Sequence, residues 1–322
     1  VCGIDFGTKS TVVVCRDKEE ILLRIGGGEL LCEPRSDDYE NPTVIQLKNY
    51  ESFKTAYVSK LGRPYTSWED ICVSHQAANA IYNGDLNSLS NKRCLYSIFS
   101  ELKQWSNSKD RKQILQDETG NIIHLNPYLS LTDTDFDPIE IYAYYLGLYI
   151  NNMHRGIYLK YLLSFPVNYP KSVRTKILGS FERGIKKSLP SRVLKDSETM
   201  KRFKITSGAS EPAAYAISAL KEYKVEPKED EINKKVSYGV FDFGGGTTDF
   251  DFGIEYIPEH KKYKFQVEQL GNGGDAYLGG ENLLNMLAFE VYKQNIQVMR
   301  DANIPIIIPA KCQKFAGSEL LV

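Results

Sequence analysis

A mixed α/β fold organised around two glycine-tipped hairpins is what this sequence predicts, and three observations predict it. Val240-Phe241-Asp242-Phe243-Gly244-Gly245-Gly246-Thr247-Thr248-Asp249-Phe250-Asp251-Phe252 is an apolar alternating strand that runs into three glycines and then into a second strand. Cys2-Gly3-Ile4-Asp5-Phe6-Gly7-Thr8-Lys9-Ser10-Thr11-Val12-Val13-Val14 has the same design at the amino end, as expected for two halves of an internally duplicated fold. Between them, helical patterns alternate with short buried strands.

After the first hairpin, 19–24 and 30–32 read as short strands about a Gly26-Gly27-Gly28 turn, and 41–47 as a strand whose start is marked by Pro42. From about 49 to 126 the pattern weakens, with helical pieces at 77–82 and 97–105, and the stretch reads as an inserted subdomain. Asp137 is an N-cap, Pro138 a first-turn proline, and 139–150 carries apolar residues at helical spacing. Tyr158 to Pro166 reads as a buried strand. A second helix follows at 170–187, with basic residues towards its end, where they suit the macrodipole. A short helix rich in small residues spans 210–220, a Lys- and Glu-rich connector 221–235, a strand 262–270, a glycine-rich loop 271–280 and a helix 281–297.

The chemistry concentrates at the hairpin tips. Glycines permit positive φ and close backbone approach, so main-chain N–H groups can converge on an anion, with Thr247 and Thr248 adding hydroxyl donors. Asp242 and Asp249 are acceptor-only carboxylates, poor partners for bare phosphate and good ones for hydrated Mg²⁺. Gly-Gly-Gly-Thr alone is also a common hairpin turn; its repetition argues for metal-nucleotide binding. The Asp-Phe-Gly of protein kinases is a different case, because no Gly-rich loop with a lysine-bearing strand lies upstream and no His-Arg-Asp loop exists.

Composition narrows the classes further. The 322 residues are 42% hydrophobic and 25% charged, long enough for two sizeable cores, and a net charge of −1 argues against nucleic-acid or polybasic membrane partners. Cys2, Cys15, Cys32, Cys72, Cys94 and Cys312 are scattered, as for reduced thiols in a cytoplasmic protein. Four dispersed histidines offer no zinc site, and no apolar run approaches the roughly 18 residues of a membrane span. The strand starting at Val1 implies that a short leader, the initiator Met included, lies outside this numbering.

Five motifs in order resemble the nucleotide-binding domain of the 70-kilodalton heat-shock chaperones, within the superfamily that includes actin and sugar kinases. They are Gly3-Ile4-Asp5-Phe6-Gly7-Thr8, Ser164-Phe165-Pro166-Val167 with Arg174 following, Ser210-Glu211-Pro212-Ala213-Ala214, the central hairpin, and Gly274-Asp275-Ala276-Tyr277-Leu278-Gly279-Gly280-Glu281-Asn282. The last is similar to the chaperone branch's Gly-Asp-x-x-Leu-Gly-Gly element.

The resemblance implies an actin-like ATPase fold with two ribonuclease-H-like lobes around a nucleotide cleft: lobe I over 1–236 and the beginning of lobe II over 237–322. It implies ATP or ADP on Gly7, Thr8, Lys9 and Ser10, on Gly244, Gly245, Gly246, Thr247 and Thr248, and on Gly279 and Gly280. Mg²⁺, with K⁺ as a second cation, falls to Asp5, Asp242 and Asp249, and catalysis to Lys103, Glu211, Asp242 and Thr247. Lys103 is matched one residue out of local alignment and also reads as a surface helix lysine. Glu211 either orients the attacking water or is simply hydrogen-bonded at a lobe interface; Lys9 either adds a phosphate contact or is a solvated turn residue. Pro166 and Glu211 are implied to couple nucleotide state to lobe rotation.

The family's domain continues beyond Val322, so the expectation is an ATPase that is weak in this chain and self-associates through incomplete lobe II. Client polypeptides and co-chaperones would bind through parts outside it. A filament-forming actin relative and a nucleotide-sensing scaffold with little hydrolysis are the alternatives.

Overall fold

A computed structural model describes residues 1–26, 33–82, 96–152, 156–228, 230–260 and 263–304. Its largest sheet is mixed. β1 (Cys2–Phe6), β2 (Ser10–Arg16) and β3 (Glu20–Leu22) form an antiparallel meander, β4 (Asn41–Pro42) pairs with β2, and β10 (Lys160–Phe165) and β11 (Lys204–Ser210) add parallel strands on the other side of β1. The spatial order is therefore β11-β10-β1-β2-β3.

Alternation decides which face is covered. Cys2, Ile4 and Phe6 of β1 and Tyr161, Leu163 and Phe165 of β10 are buried, whereas Asp5 and Leu162 point to the other, more open face. The buried face carries α4 (Pro138–Asn152) and α5 (Lys171–Ser188), with the Phe6 ring edge-on to Phe181 at 5.2 Å between centroids. Asp137 caps α4 by accepting from the N–H groups of Ile139 and Glu140. Tyr142, Tyr144 and Tyr145 of α4 are buried, each large ring contributing roughly 1.5–3 kcal/mol by its removal from water.

Between these strands lie α1 (Tyr50–Val58), α2 (Ser74–Tyr82) and α3 (Leu102–Asn107). A small antiparallel sheet joins β5 (Ile45–Leu47) to β6 (Ile71–Val73) and β7 (Ile98–Phe99), and β8 (Gln113–Gln116) pairs with β9 (Ile122–Leu125). Leu102, Trp105, Leu115 and Leu125 join the same core as β1, β10, α4 and α5. Short helices α6 (Ser191–Lys195) and α7 (Ser197–Met200) lead to β11. Helix α8 (Glu211–Glu222) then runs towards a separate antiparallel sheet of β12 (Val236–Phe243), β13 (Thr248–Tyr256) and β14 (Gln266–Asp275), which is followed by α9 (Gly280–Asp301).

Several expectations need correction. The strand at 41–47 is two strands in different sheets: β4 pairs with β2, the chain turns at Thr43 with the Val44 N–H donating to the Pro42 carbonyl, and β5 then pairs with β6 and β7. The helix at 97–105 is strand β7 followed by α3. The glycine-rich loop begins only after Asp275, since the Phe250 ring covers the bare backbone of Gly273 and the Phe252 ring that of Gly239, which lets glycines stay in the sheet. Cys2 and Cys15 are not reduced thiols: they face each other across β1 and β2, 4.2 Å between Cα atoms, and are joined as a disulfide. The pair sits at a non-hydrogen-bonded position, where side chains come closest. Residues 27–32 and 305–322, which include the strand read at 30–32 and the apolar run after Ile304, lie outside the described residues.

The second sheet is inverted with respect to solvent. Asp249, Asp251 and Glu255 are buried on the face towards α8, while Phe241, Phe243, Phe250 and Phe252 are exposed on the other. Tyr238 donates to Asp251 at 2.7 Å and Gln269 donates to the same carboxylate, which compensates part of its burial.

Candidate functional site

The two hairpin tips meet. A methyl group on Gly246 would lie 2.8 Å from Thr8 Oγ1, and one on Gly245 would lie 3.4 Å from Lys9 Cβ, so the second tip rests directly on the first. None of Gly244, Gly245 and Gly246 takes positive φ. Close approach, not an unusual backbone conformation, is what requires glycine here.

Thr43 braces the first tip. Its hydroxyl donates to the Gly7 carbonyl at 2.9 Å and its N–H to the Lys9 carbonyl at 2.9 Å. Sequence reading missed this residue, whose bond to Gly7 spans 36 positions. The second tip is braced from the other side by the loop 276–279 and the start of α9. The N–H groups of Gly280 and Glu281 donate to the carbonyls of Gly244 and Gly245, and Thr248 Oγ1 donates to Leu278 O at 2.7 Å. Gly279 lies so close that a methyl group there would be 2.5 Å from both Gly245 O and Gly246 N.

Beside the tips lies a cluster of charge. Lys103, on α3, is 3% exposed and its Nζ donates to Glu211 Oε1 at 2.8 Å, at the first turn of α8. Burial alone would lower the Lys103 pKa; Glu211, Tyr169 and Asp5 outweigh it and hold the ammonium above its ordinary value. Burial pushes the Glu211 carboxyl up to about 7, against the pull of Lys103 and with Asp5 and Asp249 adding to the rise. Asp242 is raised by burial and by Asp5, and Asp249 by burial and by Asp242 despite hydrogen bonds from Val167 and Thr247. Four carboxylates thus share one ammonium, which leaves the cluster with surplus negative charge.

The structure brings Asp5, Lys103, Glu211, Asp242 and Asp249 into one electrostatic neighbourhood, and Thr8, Gly246 and Thr247 line a cavity of about 310 Å³ against Gln104, Arg111 and Asn282. Other residues are differently engaged. Asp5 accepts from Ser164 at 2.7 Å. The Asp249 carboxylate, 2% exposed, is occupied by the Val167 N–H at 3.1 Å, so it ties β13 to the loop after β10. Thr248 spends its hydroxyl on Leu278, Lys9 reaches Glu281 at 3.8 Å, and Ser10 pairs with Pro42 in the sheet. Among the described residues no three His, Cys, Asp or Glu side chains converge closely enough to hold a metal unaided. No described helix is long and apolar enough to cross a membrane. No protein-family model matches the chain, and no curated protein matches it.

Proposed function

We propose that this chain binds Mg²⁺-ATP beside its two abutting hairpin tips and hydrolyses it, as the nucleotide-binding portion of a protein of the 70-kilodalton heat-shock chaperone type. The observation that carries the reading is the abutment of Gly245 and Gly246 on Thr8 and Lys9 beside the buried Lys103–Glu211 pair. Topology supports it. Three antiparallel strands continued by two parallel ones, in the order β11-β10-β1-β2-β3, are the arrangement expected of a ribonuclease-H-like lobe, and β12 to β14 followed by α9 repeats the first half of that plan.

The donor set fits a hydrated cation. Surplus carboxylate charge calls for one and, with no three-ligand cluster among the described residues, Asp5 and Asp242 would hold Mg²⁺ through water and phosphate oxygens. When bound, the ion supplies charge neutralisation on the phosphates. Backbone N–H groups of the tips, with Thr8 and Thr247, orient the phosphate chain. Lys103 carries the positive charge for the terminal phosphoryl group, and Glu211, poised near neutrality, accepts the proton of an attacking water.

Calorimetric titration with ATP, with and without Mg²⁺, tests the proposal. Mg²⁺-dependent binding is expected, reduced in Asp242→Asn; binding indifferent to Mg²⁺ and to that substitution overturns it. The exposed aromatic face of β12 and β13 favours a second reading, a self-associating structural protein, for which sedimentation in ATP is the test. The Cys2–Cys15 disulfide weighs against a cytoplasmic placement.

A further inference from the structure

We propose that Tyr169 is the positioning residue for Lys103, so that the loop between β10 and α5 sets where the ammonium sits. The consequence for catalysis rests on the ATPase reading above; the placement itself does not. Helix α3 has only six residues, too few to be rigid alone, and a lysine side chain has four flexible methylenes. Something must hold it at both ends.

Tyr169 does so. Its hydroxyl donates to the Lys103 carbonyl at 3.3 Å, fixing the backbone, and the Lys103 Nζ lies over its ring, 5.7 Å from the centroid. Glu211 grips only the tip of the side chain. The ring is itself held, at 3% exposure, by a loop anchored to the second sheet: the Val167 N–H donates to Asp249, and Asn168 Nδ2 donates to Gly274 O at 2.8 Å. A desolvated ammonium over an aromatic face is attracted by the ring quadrupole, and that attraction does not titrate with the carboxylates. Any shift of β13 against β10 therefore reaches Lys103 through three consecutive residues.

The test uses the full chain with lysine-selective ¹³Cε labelling, the Lys103 signal being assigned by its loss in Lys103→Met. Tyr169→Phe keeps the ring and loses only the bond to the Lys103 carbonyl, so the Lys103 resonance should keep part of its ring shift. Tyr169→Met fills similar space without a π face, and the resonance should move to that of exposed lysines. Single-turnover hydrolysis should fall about tenfold in Tyr169→Met with ATP affinity within about twofold, and the loss should vanish in a Lys103→Met background. A purely structural role would give additive losses. Should Tyr169→Met fail to fold, trifluorophenylalanine at 169 keeps the shape, removes the quadrupole and should give the same shift. An unmoved Lys103 resonance, or additive losses, overturns the proposal. Wild-type protein that neither binds nor hydrolyses ATP overturns the proposed function instead, and the resonance still decides for Tyr169.

Discussion

Glu211→Gln isolates the charge state of the buried pair. Burial sets the Glu211 carboxyl at about 7 against 4.5 for the free group, with Lys103 opposing and Asp5 reinforcing the rise. An acid raised on folding holds its proton more tightly in the folded state. Its contribution to stability is therefore complete below about pH 4.5 and is lost as pH rises through about 7. The interval, 7 − 4.5, at about 1.36 kcal/mol per pH unit is worth roughly 3 kcal/mol. Burial raises Asp137, Glu140, Asp242, Asp249 and Glu255 as well, and these act with the same sign, so the wild-type curve alone does not identify the group. Urea unfolding of wild type and Glu211→Gln in parallel, from pH 4.5 to 7.5 at constant ionic strength, removes what they share. The stability of wild type relative to the variant should fall by about 3 kcal/mol across that range. A difference constant to within about 0.5 kcal/mol would show that Glu211 titrates as it does in the unfolded chain, and the argument from burial would fail.

Lys103→Ala should slow single-turnover hydrolysis by roughly 10²–10³-fold, as for loss of one preorganised donor, with a much smaller change in ATP affinity; a rate within about twofold of wild type refutes its role. Gly279→Ala sets a methyl group against the backbone of Gly245 and Gly246, which no rotamer change relieves, so a loss of about 1–3 kcal/mol is expected in thermal unfolding. Gly246→Ala has a side chain, Thr8 at 2.8 and 2.9 Å, as its nearest neighbour rather than backbone, and should cost less than Gly279→Ala. Cys2→Ser with Cys15→Ser opens a 13-residue loop and should lower stability by roughly 2–3 kcal/mol without reductant. Equal stabilities in the absence of reductant would show that the thiols are not joined.

The legible parts of the chain were those written in adjacent residues. Asp137 and Pro138 announced α4, the basic end of α5 announced its stop, and the Asp-Phe-Gly repeats announced both hairpins, because caps and tight turns are local chemistry. The break between β4 and β5 was not local: it depends on which sheet each strand finds. Gly271 to Asp275 read as loop because its sheet position rests on Phe250, more than twenty residues earlier. Phe241 and Phe243 alternate with Val240 and Asp242, and alternation alone does not say which set faces inwards. At the site, the tips were read from pattern and Lys103 and Glu211 were implied by the resemblance, whereas Thr43 and Tyr169 reach the first tip and Lys103 through backbone carbonyls. Those two bonds join residues 36 and 66 positions apart, beyond the reach of local pattern.

The bonds from Gly280 and Glu281 to the second tip have a mechanical consequence. They make α9 a lever with its fulcrum at the glycines. Twenty-two residues at ~1.5 Å each give an arm of ~33 Å, and none of those residues is buried. A tilt of ~5° at the tip would carry the far end of such a rod about 3 Å. Movements at the hairpin too small to disturb the sheet would thus be read out, enlarged, at Arg300 and Asp301.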